Sequence, residues 1–168
     1  MPLDASYSLS VAATLTNQLD FTTVSAPLSR IYQQILTDGA GANSANRLFH
    51  DQRTLAASAN EDLDLAGVLL DPFGAAITFA RIRGMVVAAS AGNTNNVIVG
   101  GAAATQFSSW VGAATHTVTV RPGGFLALFA PDATAYVTAA GSTDFLRIAN
   151  SAGGTSVTYD IILLGSAT

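Results

Sequence analysis

Apolar and polar residues alternate with a period of two along much of this chain. The stretch 115–130, THTVTVRPGGFLALFA, shows the pattern most clearly. His116, Val118 and Val120 alternate with Thr117, Thr119 and Arg121, the spacing of a half-buried strand. Arg121-Pro122-Gly123-Gly124 follows. Proline pre-sets φ, and glycine accepts the positive φ of a type II turn. A second strand then starts at Phe125. Pairing Arg121 with Gly124 as a hairpin places Val120 opposite Phe125, Val118 opposite Ala127 and His116 opposite Phe129. One face is then apolar, and on the other Thr117 and Thr119 meet Leu126 and Leu128. Such a sheet needs a second layer or a partner. Because two-residue hairpins prefer mirror-image turns, a bulged register is the alternative.

The same alternation opens the chain. Tyr7, Leu9, Val11, Ala13 and Leu15 alternate with Ser8, Ser10, Ala12 and Thr14. Residues 1–24 therefore read as an extended N-terminal arm, with Leu19, Phe21 and Thr23 as a further short strand. A terminal strand either closes its own sheet or crosses to a neighbouring subunit. Ser25–Gly39 is the one helix candidate: Leu28, Ile31, Tyr32, Ile35 and Leu36 follow helical spacing. Ser25 suits an N-cap, Pro27 a first turn and Gly39 a C-terminal cap. At ten or so residues, such a helix needs tertiary support.

Strands are expected at Arg47–Leu55, Asp62–Leu65, Ile77–Ala89, Val97–Val99, Ala135–Thr138, Phe145–Ala149 and Ser156–Leu164. Turns rich in Gly, Asn, Asp and Pro separate them, Asp71-Pro72-Phe73-Gly74 among them. Many short strands at this spacing point to a sandwich or barrel and away from a parallel sheet. The last strand becomes apolar on both faces (Ile161–Leu164), as a strand in the middle of a packed sheet does. Residues 25–168 thus read as one domain.

Composition narrows the function classes. Only 11% of the 168 residues are charged, against 49% hydrophobic, and all seven basic residues are arginine. A surface this poor in charge suits a protein largely covered by neighbours, although an alanine-rich, GC-biased coding sequence produces the same profile. A net charge of −4 argues against a nucleic-acid partner, which needs a basic footprint. The chain has no cysteine, so it has no disulfide framework, thiol nucleophile or cysteine zinc site. Met1 is followed by Pro2, Leu3 and Asp4 without the basic and apolar regions of a signal peptide. The longest apolar tract, 74–92, is broken by Arg81 and Arg83, so no membrane partner is expected.

Candidate chemistry is sparse. His50 and Asp51 are adjacent and point to opposite strand faces, so they form no local dyad. His116 reads as a hydrogen-bonded core residue, and two histidines 66 positions apart do not make a cupin metal set. Asp62 and Asp64 share a strand face about 6.5–7 Å apart, near the carboxylate spacing of an inverting glycosidase. A solvated strand face explains them more simply. Calcium binding by Asp62 and Asp64 with Glu61 or Asn60 lacks EF-hand spacing. Gly39–Ser44 (GAGANS) is a loop that lacks the dinucleotide fingerprint. Arg81 and Arg83 share a strand face and require either carboxylates, with Asp62 and Asp64 as possible partners, or an interface. Phe107 and Trp110 either plug one end of the sandwich or serve as an aromatic anchor or sugar-stacking platform. No catalytic residue, metal or cofactor is expected. Tyr7, Leu9, Val11, Arg81, Arg83, Phe107 and Trp110 are the expected partner-interface residues.

Four stretches carry a family resemblance: LTDGAGANSANRLFHDQRTLAASANEDLDLAG (36–67), AGNTNNVIVGG (91–101), VTVRPGGFLALFAPDATAY (118–136) and DFLRIANSAGGTSVTYDIILLG (144–165). Together they resemble small structural proteins of tailed bacteriophages, of the capsid cement or decoration type. The resemblance runs from about Leu36 to the C-terminus and excludes the first 35 residues. It implies a jelly-roll-like fold, which with the strand pattern above gives an all-β, jelly-roll-like antiparallel β-sandwich with an extended N-terminal segment and at most one short helix. It also implies a non-enzymatic homo-oligomer, made in the bacterial host cytoplasm and placed on the capsid exterior, that clamps neighbouring major capsid protein subunits. The alternative is a receptor- or glycan-binding jelly roll of a tail fibre or spike.

Overall fold

The computed structural model describes residues 2–102 and 104–168. Met1, at the head of the expected arm, and Ala103, in the Gly/Ala-rich segment, lie outside the described residues. The chain is all-β, with no helix among the described residues. In order, the strands are β1 (Ala5–Gln18), β2 (Thr23–Asp38), β3 (Ser44–Ala45), β4 (Arg47–Leu55), β5 (Asn60–Asp64), β6 (Arg81–Ala89), β7 (Val97–Gly100), β8 (Thr117–Val120), β9 (Phe125–Phe129), β10 (Tyr136–Val137), β11 (Phe145–Asn150) and β12 (Val157–Ser166).

Two antiparallel sheets form the body. In the first, β12 lies between β4 and β6, and β9 and β10 follow one another along the far edge of β6. The second has the order β5-β11-β7-β8. From β4 onward the chain passes repeatedly from one sheet to the other, and its last strand returns to lie beside its first. This is the double Greek-key order of a jelly roll. Inward side chains of the two sheets meet in one core. Phe49, Met85, Val87, Ile161 and Leu163 come from the first sheet, and Leu63, Val97, Val99, Leu146 and Ile148 from the second. Strand β12 is central in its sheet, but it is buried mainly on its inward face: Val157, Tyr159, Ile161 and Leu163 are buried, while Thr158, Asp160 and Ile162 are at least partly exposed.

Four local expectations are corrected. The segment expected to be a helix, 25–39, is instead strand β2 as far as Asp38 and a bend at Gly39. Its partner β1 pairs with it from Ala5↔Leu36 to Gln18↔Thr23, and a continuous ladder outweighs the weak preference of a short apolar segment for either geometry. Leu19–Thr22 is the turn between β1 and β2, closed by the Leu19 amide on the Thr22 carbonyl (2.8 Å), so no separate strand starts at Leu19.

The expected hairpin at 115–130 has the right turn and the wrong partners. The Gly124 amide bonds the Arg121 carbonyl at 2.8 Å, and Gly123 takes φ +73° as a type II turn requires. Yet Val120 pairs with Val97 and Phe125 with Ala88, so the turn carries the chain from one sheet to the other. His116 is therefore not opposite Phe129; it is exposed just before β8.

The long strand expected at Ile77–Ala89 begins only at Arg81. Before it, the Ile77 and Phe79 amides bond the Leu69 and Leu65 carbonyls, and the Ala80 amide bonds Ser166.

Candidate interaction surface

The surface with the strongest unmet physical demand is the β1–β2 hairpin. It runs for 14 residues of β1, about 46 Å at ordinary strand rise. Cross-strand partners share a face, so the register sorts its side chains. Tyr7, Leu9, Val11, Ala13 and Leu15 lie opposite Gln34, Tyr32, Arg30, Leu28 and Ala26. With Ala5↔Leu36 this makes one largely apolar face. The other face places Ser8, Ser10, Ala12, Thr14 and Thr16 opposite Gln33, Ile31, Ser29, Pro27 and Ser25.

Only the inner end of the apolar face is covered. Leu36 is 1% exposed, and Tyr7 stacks on Phe129 with ring centroids 3.7 Å apart and an interplanar angle of 8°. Farther out, Leu15 is 76% exposed, Tyr32 64% and the turn residue Phe21 fully so. A two-stranded ribbon alone in water is marginal. An exposed apolar stripe of this length marks an interaction site.

Arg83 fixes the root of this ribbon. The pairing of β12 with β6 slips between Leu164 and Gly165: Leu164 faces Gly84, Gly165 faces Ile82, and Arg83 is the extra, bulged residue. The bulge breaks the alternation, so Arg81 and Arg83 do not share a face. Arg83 is completely buried; it donates to the Ala40 carbonyl at 2.7 Å and to the Asp132 carbonyl. These carbonyls belong to the loop after β2 and the loop after β9. The Asn43 amide joins the same loops by bonding the Pro131 carbonyl at 2.7 Å. Burial, and then the nearby Arg81 charge, lowers the Arg83 pKa from the usual arginine value. The Asp132 carboxylate is held below its ordinary pKa mainly by the amides of Ala135 and Thr134, with a small contribution from Arg83.

Of the residues expected at an interface, Leu9 and Val11 are exposed, Tyr7 and Arg81 are half-buried, and Arg83 and Phe107 are internal. Phe107 fills the core, and Trp110 packs against that core with its indole N–H on the Phe107 carbonyl at 2.9 Å. Sequence reasoning missed Val24, Leu28, Ile31, Tyr32 and Ile35, because helical spacing hid the strand that carries them. The overlooked signal was Val24, Ala26 and Leu28 at period two beyond the Leu19–Thr22 turn.

The acidic residues are occupied within the chain. Asp62 makes a two-pronged ion pair with Arg147, directly opposite on β11, at 2.8 Å for each contact. Neither Asp62 nor Asp64 is a partner of Arg81 or Arg83. Asp64 caps the following turn through the Ala66 amide at 3.0 Å. Glu61 takes the Tyr159 hydroxyl at 2.6 Å and Arg53 at 2.5 Å, and Arg53 also pairs with Asp51 at 3.0 Å. Burial, then the Glu61 contact, pushes the Tyr159 pKa well up from its ordinary value. This charged group sits where edge strands β4 and β5 approach, beside an open crevice of about 370 Å³ also lined by His50 and Leu70. Charges at sheet edges discourage strand addition by other chains. No cluster of three or more metal-binding side chains occurs among the described residues.

Comparison of the chain with protein-family models, with curated proteins and with solved structures gives no match in any of the three.

Proposed function

We propose that this protein is a non-enzymatic virion structural protein of a tailed bacteriophage, binding the outside of the capsid and stabilising contacts between major capsid protein subunits. The observation that carries the reading is the hairpin: a long ribbon, anchored at one end by Arg83, Leu36 and Tyr7, with an apolar face left open beyond its root. A rigid sandwich bearing such a ribbon has the form of a clamp. Cementing needs contact area and complementarity and no catalytic cleft, and interfaces that are permanent are more apolar than ordinary surface. The stretches that resemble cement proteins lie in the sandwich from Arg47 onward, the first of them starting at the end of β2. The arm adds reach.

The mechanism is mechanical. The ribbon and adjoining loops bridge capsomers, and the binding free energy they add resists the pressure of packaged DNA. The reading as a glycan-binding tail module loses its aromatic platform, because Phe107 is buried and Trp110 is half-buried against it.

The deciding experiment mixes the purified protein with capsids stripped of it, scored by sedimentation and cryo-EM occupancy. Saturable binding at fixed lattice positions, with a raised capsid melting temperature, is expected. Failure to bind heads, together with location at the tail of intact virions, would overturn the cement role.

A further inference from the structure

We infer that the apolar face of the β1–β2 hairpin is a self-association surface, packing against the same face of a second copy and leaving the Ser/Thr/Gln face and the adjoining loops outward to meet the capsid. The inference deepens the homo-oligomer part of the proposed function and names the occupant of the arm.

Three observations select a second copy. First, the ribbon is amphipathic in the manner of a sheet that needs one covering layer. Past Tyr7, Leu9, Val11, Leu15, Val24, Leu28 and Tyr32 project on one side, while Ser, Thr and Gln dominate the other. Second, the covered part of the face shows what it accepts. At the root, Tyr7 lies flat on Phe129 and Leu36 is buried, so the uncovered part continues an apolar contact already made within the chain. Third, the face offers little charge for recognising an unlike partner. Arg30, opposite Val11, is its one ionisable group apart from tyrosine, and a guanidinium at a ribbon margin reaches water while its stem packs.

The dimensions agree. Eleven cross-strand pairs lie beyond Tyr7↔Gln34. They span about 36 Å, and with a ribbon width near 10 Å and side-chain relief the face offers about 500 Å². Two such faces bury about 1,000 Å² together, the threshold for a specific interface. Pro27 interrupts the outer edge of β2, which favours contact through the face over addition of another strand at that edge.

The test uses the full chain. Light scattering coupled to gel filtration should show a defined oligomer at micromolar concentration. Leu9→Ser, Leu15→Ser and Leu28→Ser together should weaken assembly about a thousandfold and leave the far-ultraviolet circular dichroism unchanged. Ile31→Ser with Ile35→Ser removes comparable exposed apolar surface from the opposite face and should leave the oligomer intact. Single cysteines give a second readout that does not depend on those variants folding: Ala13→Cys, on the apolar face, should be protected from maleimide, and Ala12→Cys, on the polar face, should react. A monomeric wild type, equal dissociation by both serine variants, or equal labelling of the two cysteines would overturn the inference. A monomer that still decorates capsids refutes self-association alone, whereas an oligomer that ignores capsids refutes the cement reading alone.

Discussion

Arg83→Met tests whether the hairpin is held by its root. Methionine approximates the length of the arginine stem and keeps its packing, but it donates no hydrogen bond. Replacing a buried ion pair by apolar side chains is often neutral, because both charges leave together. Here the acceptors stay behind. The Ala40 and Asp132 carbonyls both lose their Arg83 donor. Asp132 is exposed and Ala40 half-buried, so water can replace part of what the guanidinium supplies. A hydrogen bond from a charged donor contributes about 1.5–3 kcal/mol, and this hydration and the relief of burying the charge offset part of the two. We expect a net loss of about 1.5–3 kcal/mol. For a chain of 168 residues this corresponds to a fall in Tm of about 3–12 °C. The loss should also be local. Hydrogen exchange should accelerate in residues 38–45 and 130–135 while β5 and β11, on the opposite sheet, keep their protection below the global unfolding limit. Thermal unfolding followed by circular dichroism, with exchange read by mass spectrometry, measures both. A Tm within about 2 °C of wild type, or acceleration spread evenly over both sheets, would refute the anchoring role.

Two further substitutions probe the charged groups. Tyr159→Phe removes the hydroxyl that Glu61 accepts and should cost about 1–2 kcal/mol in urea unfolding near neutral pH. Because folding raises the Tyr159 pKa above its ordinary value of 10.0, its stabilisation is complete below that pH and declines as pH rises beyond it. Wild-type stability should therefore fall progressively as pH rises above about 10, and more steeply than that of the variant; parallel curves would show that another group governs the alkaline limb. Asp62→Ala breaks the partly exposed pair with Arg147 and should cost no more than about 1 kcal/mol. No glycan-hydrolysing activity is expected in wild type or variant, and a measurable activity lost on this substitution would overturn the non-enzymatic reading.

The head of β1 and the turns at 71–74 and 121–124 were legible because their signals are local: alternation from Tyr7 to Leu15, or proline and glycine at the turn positions. The segment 25–39 was not, because Leu28, Ile31, Tyr32, Ile35 and Leu36 fit helical spacing while spreading over both faces of a strand. Only the presence of β1 beside it decides between the two. The reading of Arg83 failed for a related reason. Alternation assigns it to the face of Arg81 until a bulge, created by the pairing of β12 with β6, adds one residue and takes the two arginines off a shared face.

From the sequence alone came the all-β class, most strand positions, a charge-poor surface and an arm that begins with alternating apolar residues. These follow from period, turn chemistry and composition, which short stretches of chain express by themselves. Tertiary structure alone decided the jelly-roll order, in which β8 and β9 leave a well-formed turn for partners in different sheets, and it alone showed the ribbon's apolar face to be open beyond Tyr7 and Leu36. Pairing across long separations depends on which faces must be buried together, and that is a property of the whole packed chain.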